Sequence, residues 1–309
     1  MKKAVSTNWC SRKISDGREI SDKAAELGFD ELELGYSLRF EQVEGIRDRL
    51  DLIPVGSVHA FCPVPMSAPH AHPELYSLAS FSEPARALAK TCIVKNIEFA
   101  ASVGAKTLVL HAGSVGLSRM FRKMSSTGLR DALRALGDDP ANAKYVKAVD
   151  KARKLRLKRG EKMLALFIRE LETLIKVLES NSVGIAFENL PYLEGFPDEE
   201  ELKKIVSHFS TPFVSGWFDT GHDAVRRNML YADGAFTPDP ALYAGVHVND
   251  VISFDDDHFA PGFGKIDFSR YADIFANAKH IVFEPDQNTT EENLKKGIEN
   301  YERQLQSRL

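Results

Sequence analysis

Short apolar runs alternate with longer amphipathic ones along the whole chain. The candidate strands are "AVSTNW" (4–9), "ELEL" (31–34), "PVGSVHA" (54–60), "KTLVLHA" (106–112), "VGIAFE" (183–188), "FVSGWFD" (213–219), "YAGVHV" (243–248) and "HIVFE" (280–284). Several are apolar and β-branched on both faces, as a parallel strand covered on each side must be. Helical periodicity runs over 18–28, 40–50, 83–103, 141–180, 198–209, 222–230, 267–277 and 290–306. This alternation predicts an α/β protein, a (β/α)8 TIM barrel forming one domain over residues 1–309. A doubly wound sheet would want a glycine-rich turn after an early strand, and the chain has no GxGxxG motif.

One stretch exceeds a minimal barrel. After "LVLHAGS" come "LSRMFRKMSSTGLRDALRALG" and a long helical pattern, which predict a helical insertion over residues 114–160, after the fourth strand. A loop there opens on the catalytic face of a barrel, so the insertion is a candidate lid. Residues 144–162 carry nine Lys/Arg against Asp150 and Glu161. They form either a solvated helix face or a basic wall for a phosphate-bearing substrate.

Bulk properties narrow the class. Hydrophobic residues make up 43% of the 309 and charged residues 27%, a globular balance. The net charge of −4 gives no overall field favouring nucleic acid. Cys10, Cys62 and Cys92 lack both zinc-type spacing and a disulfide framework, which suits a reducing compartment. No window approaches the roughly 20 apolar residues that span a bilayer, and no apolar run follows the lysines of "MKKAVSTNWCSRK". A cytoplasmic protein is expected.

The ends of the strands carry the chemistry, because a TIM barrel places its active site there. The third strand ends in His59, the fourth in His111, the fifth in Glu188, the sixth in Asp219 with His222 just after, the seventh near His247, and the eighth in Glu284. Any one of these has an ordinary explanation as a cap or a hydrogen-bonded core residue. Together they would crowd unsatisfied polar groups into one mouth unless they share a partner, and a divalent cation is the economical one. Imidazoles with carboxylates and no thiolate suit zinc or manganese. In "SFDDDHFAPGFGKIDF", Asp256 and His258 alternate and would point the same way in an extended loop. Glu33 at the second strand is either a substrate contact or a core-edge hydrogen-bonding residue, and Lys265 after the glycine turn is either a phosphate contact or a surface lysine. His70 and His72, in a proline-rich loop, are expected at the surface, within possible reach of the mouth.

In this order, "HAGS", "ENLP", "DTGH", "HVND", "PGFGKIDF" and "FEPD" resemble the xylose-isomerase-like barrel superfamily, over roughly residues 1–305 apart from the basic insertion. That superfamily includes sugar and sugar-phosphate isomerases and epimerases and the metal-dependent apurinic-site endonucleases. In its epimerase branch, the resemblance implies one divalent metal held by groups matching Glu188, Asp219, His247 and Glu284. The two glutamates shuttle a proton through an enediolate, and the residue matching His222 contacts substrate. The metal would lower the pKa of the carbon acid, and one carboxylate would remove the proton that the other returns.

In the endonuclease branch, His59, His111, Glu188, Asp219, His222, His247, Asp256, His258 and Glu284 match in type the ligands of three zinc ions. Other features depart from that branch. The link "HVNDVISFDDDH" is shorter, "ENLPYLEGFP" resembles the isomerases, and the loop "FCPVPMSAPHAHPELYSLAS" has no basic residue for a nucleic-acid groove.

The expected activity is therefore a metal-dependent isomerase or epimerase of a small sugar, sugar phosphate or related polyol, with Glu188 and Glu284 as the acid/base pair. His111, His222, His258, Glu33 and Lys265 are candidate substrate contacts. His59, His111, His222, Asp256 and His258 are candidates for further metal sites, with one ion expected and two or three as the alternative. Two rival readings stand: a multi-zinc phosphodiesterase, and a barrel that binds sugar or metal without turnover. Homo-oligomers are common in the superfamily.

Overall fold

Eight parallel strands close into one barrel, each hydrogen-bonded to the next in sequence and the last to the first. They are β1 (Lys2–Ser6), β2 (Glu31–Leu34), β3 (Val55–His59), β4 (Thr107–Leu110), β5 (Gly184–Glu188), β6 (Val214–Asp219), β7 (Tyr243–Val248) and β8 (His280–Phe283). The helices are α1 (Gly17–Glu26), α2 (Phe40–Arg47), α3 (Glu83–Ser102), α4 (Ser126–Ala135), α5 (Ala143–Glu172), α6 (Ile175–Asn181), α7 (Glu199–Phe209), α8 (Thr220–Asn228), α9 (Ala272–Asn277) and α10 (Glu291–Gln306). The computed structural model describes residues 2–66, 68–116, 119–232 and 237–306, so residues 117–118 of the expected insertion lie outside the described residues. No described helix is long and apolar enough to cross a membrane. The first strand is shorter than its apolar run predicts: it stops at Ser6, and Thr7–Trp9 form a 3-10 turn in which Thr7 and Trp9 are buried.

The period of two along each strand positions everything that follows. Ala4, Val109, Ala186, Trp217 and Val282 form a separate apolar layer contributed by five strands, the packed interior of the barrel. Trp217 is its bulkiest member, and β7 makes room for it with Gly245, where a Cβ would lie 2.3 Å from the indole. The intervening residues, such as Ile185, Phe187, Phe218, Val246 and Phe283, join the large cluster between strands and helices. Two residues beyond the interior layer on β5, β6 and β8 stand Glu188, Asp219 and Glu284, and two beyond Gly245 stands His247. The strand register pairs Asp219 with His247 and aligns His247 with Val282. Alternation and register together thus bring these side chains to one end of the barrel.

Between β4 and β5 lie α4 and α5, and no described residue of 114–160 lines the mouth. These two helices pack on each other and on α8 through a second apolar cluster that includes Leu129, Leu133, Tyr145, Val149, Val225 and Met229. The Tyr145 hydroxyl donates to the Met229 carbonyl at 3.0 Å. Arg156 makes two 2.6 Å hydrogen bonds to Glu201 on α7. Lys144, Lys147, Lys151, Lys154, Lys158 and Lys162 are exposed, the solvated face of a long helix. None of these residues lines the mouth cavity described next, so among the described residues the insertion supplies neither a lid residue nor a basic wall there.

Candidate metal centre

Glu188 sits at the hub of the mouth. Its Oε2 accepts from His59 Nε2 and His111 Nε2, each at 3.0 Å. Its Oε1 lies 3.1 Å from His247 Nδ1 and 3.3 Å from His222 Nδ1. His247 Nδ1 is also 3.0 Å from Glu284 Oε2 and 3.9 Å from Asp219 Oδ2. Glu188, Asp219, His247 and Glu284 each offer one ligand atom within 4.8 Å of the others, and all four residues are buried. Two further groupings of the same kind exist among the described residues: His59, Glu188 and His247, and Asp219, His222 and His258.

A layer of hydrogen bonds fixes these side chains from behind. His247 Nε2 is 2.9 Å from Glu33 Oε1, and Glu33 is itself held by the Ser57 hydroxyl at 2.8 Å. This partner on one ring nitrogen turns Nδ1 toward the carboxylates, the usual arrangement behind a metal-ligating histidine. Glu33 therefore lies beneath His247, fully buried, rather than at the open surface where substrate would meet it. Glu284 Oε1 accepts from Asn8 Nδ2 at 2.9 Å and Ser6 Oγ at 3.2 Å. Asp219 caps α8 by accepting from the His222 backbone N–H at 2.6 Å, while its Oδ2 accepts from Asn249 Nδ2 at 2.7 Å. The cap and the ligand-type position are thus the same residue, with one oxygen for each task. Gly221 makes the turn possible, because a Cβ there would come within 1.9 Å of Asn249 Oδ1.

Charges in the cluster follow its geometry. Burial opposes ionisation of Glu188, but His247 and His111 outweigh it and hold the carboxyl well below its ordinary value. Burial likewise opposes ionisation of Glu284, and His247 with His258 still lowers it. Asp219 is raised, chiefly by burial. Burial disfavours the charged imidazoles, yet the carboxylates override it. His247 rises well above its usual value through Glu284, Glu33 and Glu188, and His111 rises to about 9 through Glu188 and Glu74. His258 rises to about 10, mainly through Asp257.

Most of the expected site residues meet here: His59, His111, Glu188, His222, His258 and Glu284 line one cavity of about 310 Å³, with Asp219 and His247 at its base. Two do not. Asp256 is exposed, and the adjacent Asp257 takes its place, 2.9 Å from His258 Nδ1 and 3.8 Å from His222 Nε2. The loop is not extended at this point: His258 has φ +66°, and the Ile252 N–H donates to the Asp256 carbonyl, so alternation fails. Lys265 is exposed and does not line the cavity. His72, with Pro73 and Glu74, does reach the mouth.

Several lining residues escaped the sequence reading. The Tyr192 hydroxyl donates to Glu74 Oε1 at 2.5 Å, and Glu74 is 3.5 Å from His111 Nδ1. Tyr36 sets its edge against His59, ring centroids 5.2 Å apart. Arg12 also lines the cavity. The asparagines in "ENLP" and "HVND" carried a signal, since Asn189 and Asn249 follow ligand-type residues and both bond Asp219.

The donor set fits a divalent cation: three carboxylates and an imidazole converge in a buried pocket, each carboxylate oriented by its own partners. The sequence signature of the xylose isomerase-like TIM barrel family matches residues 21–304. No curated protein matches the sequence. Among solved structures, a D-tagatose 3-epimerase-like protein superposes with a TM-score of 0.64 at 20% identity, covering 100% of this chain and 99% of that one. D-psicose 3-epimerase from Clostridium cellulolyticum H10, solved with D-tagatose, gives 0.63 at 15% identity over 99% of both chains. An IOLI protein with a bound zinc atom gives 0.62 at 14% identity over 98% of this chain and 96% of that one. With these likenesses in fold, the closed barrel and a signature running from the first helix into the last, the chain belongs to the xylose isomerase-like TIM barrel family.

Proposed function

We propose that the protein is a divalent-metal-dependent isomerase or epimerase of a small sugar or sugar phosphate. The observation that carries this reading is the pair of glutamates, Glu188 and Glu284, 3.1 and 3.0 Å from the same nitrogen of His247 at the base of one small cavity. The likeness in fold to a D-tagatose 3-epimerase-like protein and to D-psicose 3-epimerase supports the same reading. Glu188, Asp219, His247 and Glu284 would hold the ion, with zinc or manganese best suited to the set. When bound, the ion supplies positive charge that acidifies the carbon next to the sugar carbonyl.

The rest of the work falls to the chain. One glutamate takes the proton from that carbon and the other returns it, with carboxylates fixed in place rather than recruited from solvent. Glu33 holds the His247 ring so that Nδ1 faces the carboxylates. Tyr36, His72, Glu74 and Tyr192 wall the cavity and are placed to hydrogen-bond sugar hydroxyls. The test is ketose in deuterated water with protein loaded with manganese or zinc. D-tagatose, D-psicose, D-fructose and a ketose phosphate should include at least one substrate whose carbon-bound proton exchanges. Metal-loaded protein that exchanges none of them sinks the proposal.

A second reading has its own observation. The additional groupings His59–Glu188–His247 and Asp219–His222–His258 suit a multi-zinc phosphodiesterase. The cavity walls count against a nucleic-acid substrate: Arg12 is their single Arg or Lys, against Glu74, Glu188, Asp257 and Glu284. Metal analysis separates the two, with one ion per chain expected here and two or three required by the hydrolase.

A further inference from the structure

A second cavity, of about 250 Å³, lies between α5, α7, α8 and the outer faces of β5 to β7 and shares no lining residue with the mouth. Its walls are mainly apolar, with Leu157, Leu190, Leu193, Leu202, Phe187 and Phe218 among them. Three arginines line it as well, Arg153, Arg156 and Arg226, together with four acidic residues.

The acidic residues are almost all engaged. Asp198 caps α7 and lies 2.9 Å from Arg156 Nη1. Glu199 accepts from the Tyr243 hydroxyl at 2.7 Å and the Asp239 N–H at 2.8 Å. Asp223 accepts from Arg227 Nε at 2.6 Å and the Tyr271 hydroxyl at 2.7 Å. Glu200 is exposed.

The arginines are not matched in the same way. Arg156 is 3% exposed and spends both terminal nitrogens on Glu201 and the Gly195 carbonyl, yet its buried Nε has no partner. Arg226 donates from Nη1 to the Leu190 and Tyr192 carbonyls, at 3.4 and 3.0 Å. It has no carboxylate partner among the described residues, and Arg153 has no ion pair or hydrogen bond there. A guanidinium offers five donors, and Arg226 is only partly buried, so the donors not spent on the two carbonyls remain open to a further acceptor at the cavity. Burial, reinforced by the nearby Arg156 charge, lowers the Arg226 pKa from its ordinary value.

We propose that this cavity is a binding site for a small amphiphilic carboxylate, its carboxylate on Arg226 and Arg153 and its apolar body against the leucines and phenylalanines. Planar two-oxygen anions match the guanidinium fork. Arg226 lies one helical turn after His222 on α8, and the Tyr192 whose carbonyl it holds donates its hydroxyl to Glu74.

Isothermal titration calorimetry of the full-length, metal-loaded protein tests this with octanoate, octan-1-ol and inorganic phosphate as probes. Octanoate should bind at one site per chain, about tenfold or more tighter than octan-1-ol, and phosphate should not displace it. Arg226→Met should weaken octanoate at least about tenfold, and Arg153→Ala at least about fivefold, with circular dichroism unchanged. Arg153 is a partly exposed residue on the helix surface, so its variant keeps the proposal testable if Arg226→Met fails to fold. The proposal is overturned if octanoate binds no better than the alcohol, if phosphate displaces it, or if folded Arg153→Ala binds octanoate like the unaltered protein.

Discussion

The two longest excursions from the top of the barrel leave adjacent strands and end in different places. The segment after β3 contributes Ala71, His72, Pro73 and Glu74 to the mouth cavity. The insertion after β4 is longer and far more charged, yet it turns aside and builds a separate apolar cluster against α8. Neither length nor charge decides which loop covers a site. What decides is whether the loop carries enough amphipathic surface to bury itself elsewhere. The insertion has two helices with apolar stripes and finds α8, whereas the first loop, broken by prolines and without a helix, stays on the rim. The mouth should thus respond to changes in chemistry and the insertion to changes in packing.

The largest expected effect is at the centre both loops surround. Glu284→Gln should lower deuterium exchange by about 10²–10⁴-fold while leaving the fold intact. Ordinary turnover by that variant would remove the centre and the comparison with it. Next is Leu129→Ala on α4, fully buried in the second cluster. Denaturant titration should show a loss of about 2–5 kcal/mol, with kcat and metal affinity of the folded fraction unchanged. A loss of activity beyond the unfolded fraction would make the insertion part of the catalytic apparatus.

The dependence on pH should take opposite signs in the two metal states. His111, with its folded pKa up to about 9 against about 6.5 unfolded, contributes stability that is complete below pH 6.5 and is lost as pH climbs through 9. His258, raised to about 10, does the same over a range extending to higher pH. Chelator-treated protein should therefore lose stability from near neutrality upward. His247, also raised, must shed a proton to ligate, so metal affinity should rise with pH by up to about tenfold per pH unit for each proton released. Calorimetry in buffers of differing ionisation heat reads that proton release, and binding without proton release would contradict the charge state assigned to the cluster.

The smallest effect belongs to the rim. Glu74→Ala should raise KM by about fivefold to tenfold with little change in stability, since it removes one wall hydrogen bond from substrate. If KM stays constant and only stability falls, the loop after β3 is packing like the insertion, and the contrast collapses.

The legible part of the site lay on strands. Glu188, Asp219, His247 and Glu284 follow from a period of two applied to runs whose ends are marked by apolar residues, and parallel register does the rest. Glu74, Tyr192, Arg12 and Tyr36 sit on loops, where position depends on turns that no periodicity describes. The exchange of Asp256 for Asp257 shows how narrow the margin is, since a single left-handed residue, His258, redirects the neighbouring side chains. For Glu33 a buried hydrogen bond is legible in the sequence but its partner is not, because His247 is 214 positions away.

At residue 221 the chain has no room to experiment. Its missing side chain is the space taken by the Asn249 amide, which in turn holds Asp219 through Nδ2 and the His258 N–H through Oδ1. A methyl group at 221 would push that amide off both, and a smaller residue at 249 would free both while leaving the turn unsupported. Neither position can drift alone without disturbing residues from β6, α8 and the loop after β7 together. The two positions are therefore coupled by space: a side chain added at 221 needs the volume that the Asn249 amide fills, so a substitution at one calls for a compensating change at the other.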